Sequence, residues 1–93
     1  MEFKSYKIPK GKMVKVRVNV DKNSIRDITI LGDFFLHPED TLPQIEQGLV
    51  GTTADEDCIT DVIQSVLDTQ NAVLIGASAR DLAKAIMSAH ETR

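Results

Sequence analysis

The sequence predicts an α+β fold, a three-stranded antiparallel sheet followed by about three helices packed on one of its faces. Two observations carry this. The first third of the chain alternates apolar and polar residues, as a half-buried strand does. The remainder repeats apolar residues every three or four positions, as a helix with one buried face does. A sheet that is apolar on one side only needs helices to cover that side.

Each element has its own justification. A short strand is expected around Phe3 to Ile8, closed off by Pro9-Lys10-Gly11. In KMVKVRVNV, Val14, Val16, Val18 and Val20 share one face, while Lys15, Arg17 and Asn19 share the other. Asp21 to Ser24 is a turn cluster. A third strand, IRDITILGDFFL, then places Ile28, Ile30, Phe34 and Leu36 in one register. Thr41-x-x-Gln44 reads as a capping box with Pro43 in the first turn. Leu42, Ile45 and Leu49 follow on one helical face, and Gly51 is a natural stop. Thr53-x-x-Glu56 repeats the capping pattern, with Asp55, Glu56 and Asp57 in the first turn. The stripe behind it is Ile59, Val62, Ile63, Val66 and Leu67. NAVLIGAS is a connector or a short buried strand, and Ser78 caps a last helix with Leu82, Ile86 and Ala89 inward.

At 93 residues, with no repeat, linker or low-complexity tract, residues 1–93 read as one domain. A composition 42% hydrophobic and 27% charged is that of a globular chain, not a disordered one. Net charge is −3, which argues against nucleic acid as a partner. The cations lean to the front, from Lys4 to Arg26, and imply one positive sheet face or edge. The longest apolar run, AVLIGA, is far short of the roughly 20 residues that cross a bilayer, so no membrane association is expected. Met1 to Lys10 lacks an export signal, and the one cysteine has no disulfide partner; the expected address is cytoplasmic.

Few residues suit catalysis, and none is assigned a catalytic role. The histidines are His37 and His90, and His90 lies at the end of the last helix. Cys58 falls beside the apolar stripe, where a cysteine acts as a small packing residue. The acids lack calcium-loop spacing, and no metal site is expected. No phosphate-cradling glycine motif occurs; Lys10-Gly11-Lys12 is a basic turn within reach of a phosphate or a partner, or simply solvated.

ILGDFFLHPED is the informative stretch. Adjacent phenylalanines on a strand point to opposite faces, so only one of Phe34 and Phe35 enters the core. With Phe34 inside, Leu31, Asp33, Phe35 and His37 share the other face. Beside Tyr6 or Phe3 they form a small apolar patch with a polar rim, which suits a partner. The alternative is a β-bulge at Gly32 that turns Phe35 inward. In either case Asp33 is placed to hydrogen-bond a turn.

Three motifs carry a family resemblance: the hairpin KIPKGK (Lys7 to Lys12), Gly32-Asp33-Phe34-Phe35, and the helix start Gly76 to Ser78. With LPQIEQGLVG between them, nearly the whole chain resembles the small accessory domain of lipoate–protein ligases, which is fused behind the catalytic domain or encoded apart from it. Nothing of catalytic-domain size precedes Met1, which favours the separate-subunit form. The resemblance implies a non-catalytic subunit that docks on a ligase catalytic subunit and supports formation of lipoyl-adenylate. It binds no cofactor directly, while the complex uses ATP, magnesium and lipoate. The acceptors it implies are lysines on lipoyl carrier domains, those of 2-oxoacid dehydrogenase acyltransferases and the glycine cleavage H protein. The fold is also similar to iron–sulfur and sulfur-transfer scaffolds, a second reading that requires a reactive, exposed cysteine on a loop.

Overall fold

The computed structural model describes residues 3–9 and 12–91, with Glu91 described by its backbone alone. Strands β1 (Lys4–Lys7), β2 (Met13–Asp21) and β3 (Ser24–Gly32) form an antiparallel sheet in the order β1-β2-β3. Helices α1 (Thr41–Leu49), α2 (Glu56–Thr69) and α3 (Ala79–Glu91) follow. α3 packs on β1 and β2, α1 packs on β3, and α2 lies against both helices. The expected α+β architecture is the observed one.

The β2–β3 hairpin closes through Lys22 and Asn23, both at positive φ (53° and 64°), the combination that a tight two-residue turn of matching twist requires. Val14, Val16 and Val18 are buried, and Lys15 and Asn19 face outward. Ile25, Ile28 and Ile30 are also buried, although Ile25 and Ile28 are three positions apart. A register shift between Asn19 and Val20 reconciles them, because a bulge changes which residues face inward. The outer edge of β3 is occupied. The Ile25 N–H donates to the Thr52 carbonyl (2.9 Å), and the Gly51 N–H donates to the Ile25 carbonyl (2.7 Å). Further along, the Ile30 N–H donates to Glu46 Oε2 (2.8 Å). Edge donors met in this way cannot recruit another strand.

Three expectations need correction. The third strand does not run to Leu36. It ends at Gly32, and residues 35–37 form a separate strand, β4 (Phe35–His37), paired antiparallel with β5 (Val73–Ile75) in a second, two-stranded sheet. The cause is local: the Phe34 ring lies over Gly32, where an added Cβ would sit 2.7 Å from Phe34 Cε2 and 2.9 Å from the Met13 carbonyl oxygen. Only glycine admits that approach without a shift. NAVLIGAS therefore contains a strand, but Val73 and Ile75 on it are exposed, not buried.

The second correction concerns capping. Thr41 does not cap α1; Asp40 precedes the helix, and no side chain caps it. The Thr41 side chain is fully buried with its hydroxyl unpartnered, so packing has taken it from the capping role. At α2 the cap is Asp55, not Thr53. The Asp55 backbone is extended, and its Oδ2 accepts the Cys58 N–H (3.1 Å), leaving Glu56 and Asp57 in the first turn. By contrast Ser78 does cap α3. Its Oγ accepts the Asp81 N–H (3.1 Å), while Asp81 Oδ2 accepts the Ser78 N–H (3.0 Å).

The third correction is Cys58, which is exposed and does not pack among the stripe residues. The stripe itself is as expected, with Ile59, Ile63 and Leu67 buried and Val62 and Val66 half-buried against the core. Leu82, Ile86 and Ala89 of α3 are buried too, and Ala79, Ala83 and Ala85 beside them let the helix approach the valines of β2 closely. Gly51 stops α1 with φ +89°.

Candidate functional site

Among the described residues, the two-stranded ribbon carries the two most exposed large apolar side chains, Ile75 and Phe35. Phe35 pairs with Ile75, Leu36 with Leu74, and His37 with Val73. Side chains alternate across a strand, so Leu36 and Leu74 turn toward the core while the other four project outward. Phe35 is 57% exposed, Ile75 59% and Val73 51%. The Phe35 and His37 rings lie parallel, their planes 4° apart and their centroids 6.2 Å apart. Phe34 is half-buried against the core, and the bulge that would have turned Phe35 inward does not form at Gly32.

Among the expected patch residues, the structure brings Phe35 and His37 together and separates the other two. Leu31 is exposed, but it lies on the open face of the three-stranded sheet and pairs with Lys15. The strand break at Gly32 accounts for its separation. Asp33 sits in the connector, where its backbone N–H donates to the Met13 carbonyl (3.0 Å), a bond that does not involve the carboxylate expected to hold the turn. Tyr6 pairs with Val14 and packs against the core, so it does not contribute to the patch. Phe3 lies on the open face under Arg17, whose guanidinium carbon is 5.3 Å from the ring centroid. Val73 and Ile75 were missed by sequence reasoning. Three residues give too short an alternation to read, and the pairing partner lies more than thirty positions away.

The three motifs of the resemblance meet at one corner. A Cβ on Gly76, which has φ +94°, would stand 3.4 Å from Lys12 Cε and 3.5 Å from the Phe34 Cα. Lys12 therefore lays its stem across the turn that follows β5. A cleft of about 530 Å³ opens there, lined by residues that include Ile8, Pro9, Lys12, Ala77 and Asp81. Lys10, the other basic candidate, lies outside the described residues.

No reactive centre assembles around the remaining candidates. Asp55 accepts from the backbone at the start of α2, while Glu56 and Asp57 bind Arg80 Nη1 at 2.9 Å and 2.7 Å, tying α2 to α3. Desolvation, the Asp55 hydrogen bond and the negative charges of Asp55, Asp61 and Asp57 all raise the Cys58 pKa above its ordinary value. A raised pKa keeps the thiol protonated, the opposite of what a nucleophile or a metal ligand needs. Among the described residues, no three of His, Cys, Asp and Glu converge on a point that would hold a metal ion. No helix among them is long and apolar enough to cross a membrane.

Fold and site together define a small α+β domain whose two-stranded ribbon leaves an apolar face exposed. Residues 3–86 match the family of bacterial lipoate protein ligase C-termini, and the chain belongs to that family. It is 34% identical over 86 residues to lipoate-protein ligase A subunit 2 of Thermoplasma acidophilum, across 92% of this chain and 87% of that one. A solved chain from the lipoylation system of the same archaeon, described as a bi-partite lipoate protein ligase and its E2 lipoyl domain, superposes with a TM-score of 0.77. Its sequence is 32% identical, over 92% of this chain and 93% of that one.

Proposed function

We propose that this chain is the non-catalytic accessory subunit of a two-component lipoate–protein ligase. It docks on the catalytic subunit and supports ATP-dependent adenylation of lipoate, before the lipoyl group passes to a lysine of a carrier domain. The observation that carries this reading is the mutual coverage with subunit 2 of a two-part ligase, nearly complete for both chains. A mixed anhydride must be kept from water, and a small domain that orders loops around the adenylate pocket serves that need without catalytic residues of its own. The contact residues in this reading are Phe35 and His37 on the ribbon and Lys12 beside it, with Leu31, Asp33 and Lys10 as weaker candidates. ATP, magnesium and lipoate belong to the complex, and the carriers are its substrates. The scaffold reading, iron–sulfur or sulfur transfer, has less to rest on, because Cys58 is exposed but lies in the first turn of α2 and not on a loop, beside acids that raise its pKa.

The experiment is lipoate-dependent exchange of pyrophosphate into ATP by the catalytic subunit, with and without this chain. Exchange is expected only with both present. Full exchange without it would remove the chain from adenylation. Cys58→Ser is expected to exchange as the natural chain does.

A further inference from the structure

We infer that the catalytic subunit engages the β4–β5 ribbon and the adjoining cleft as one surface, laying over it an apolar segment that ends in a carboxylate. The inference rests on the accessory-subunit reading and specifies the partner's chemistry. Three features of the surface support it.

The first is the preset arrangement of the apolar side chains. Phe35 and Ile75 are cross-strand partners, and Val73 lies two residues along the same face. Leu36 and Leu74 hold the ribbon to the core from its other side, so little ordering entropy is lost when a partner covers the face. The other exposed hydrophobics are dispersed. Leu31, Met13 and Phe3 lie among the polar residues of the three-stranded sheet, and Val50 follows α1.

Continuity is the second. Ile75 runs directly into Gly76, and Gly76 lies against Lys12 at the edge of the cleft, so the apolar face and the cleft share one border. A pocket of this volume accepts an anchoring side chain, and anchors seated in pockets dominate binding energy at interfaces.

The third is charge. The Lys12 stem is laid across Gly76, which puts its ammonium near the end of the apolar face. Among the described residues Lys12 makes no ion pair. Asp81 lines the same cleft and keeps its charge, but its Oδ2 is turned to the Ser78 N–H at the start of α3 and it does not pair with Lys12. A cation with no ion-pair partner among the described residues, beside an apolar strip, favours a partner that brings a carboxylate to that end.

The test is titration of the full chain into the catalytic subunit at low and high salt, with the unfolding midpoint of every variant measured alongside. Ile75→Asp is expected to lower affinity by about tenfold or more, and Phe35→Ala, which adds no charge, by a comparable factor. Lys12→Glu should weaken binding several-fold at low salt and flatten its salt dependence, while Lys12→Arg keeps both. Unaltered affinity in Ile75→Asp and Phe35→Ala, with the natural chain still binding, overturns this surface and leaves the accessory role standing. Self-association of the chain that Ile75→Asp abolishes also overturns it, since a second copy would then be the occupant. Failure of the natural chain to bind at all overturns the accessory reading itself.

Discussion

The two sheets of this protein are made from similar residues and put to opposite uses. In the three-stranded sheet, β-branched residues face inward, and Val14, Val16 and Ile25 are completely covered. In the ribbon, Val73 and Ile75 are of the same chemical type and stand more than half exposed. Residue type does not separate them; what lies over each face does. α1 and α3 sit on the first sheet, and no described residue covers the outer side of the second to the same extent. An apolar strand is thus a core element only when the topology supplies a layer above it.

Substitutions can break or sharpen that contrast. The largest effect is expected from Ile63→Ala, which leaves a void among fully buried neighbours and should cost about 2–5 kcal/mol in denaturant unfolding. The same change at Ile75 should cost no more than about 0.5 kcal/mol, the usual range for a surface position. Equal losses would show that the ribbon belongs to the core after all. Gly32→Ala comes next. Its methyl would press on the Phe34 ring and the Met13 carbonyl, and the forced shift should cost about 1–3 kcal/mol. A neutral result by the same measurement would show that the joint between the two sheets gives way easily. Asp55→Ala removes the side-chain cap of α2 and should cost about 0.5–2 kcal/mol, while Thr53→Ala, at the position outside the cap, should cost less.

The first sheet was legible because nine-residue strands alternate long enough to show their period, and its hairpin turn is marked by Lys22-Asn23. The helices were legible for the same reason: Ile59, Ile63 and Leu67 recur every four positions within the 14 residues of α2. Phe35 was legible as the outward member of an adjacent pair. The break at Gly32 was not, because it depends on where the Phe34 ring lands. Val73 and Ile75 were hidden by a three-residue strand whose partner is distant in the chain. At α2 an Asp two residues past the threonine that fitted the motif takes the cap, and at α1 burial removes Thr41 from that role while Asp40 makes no cap hydrogen bond.

The layering also makes the chain electrically two-sided. Lys15 and Arg17 stand on the open face of the sheet, while α1 and α3 pack on its other face with α2 against them. There α2 exposes Asp57, Asp61 and Asp68. A net charge of −3 understates this separation. In the field of a larger body the chain experiences a torque as well as a pull, and it approaches already turned. That orienting effect fades as ions screen charges beyond about 8–10 Å.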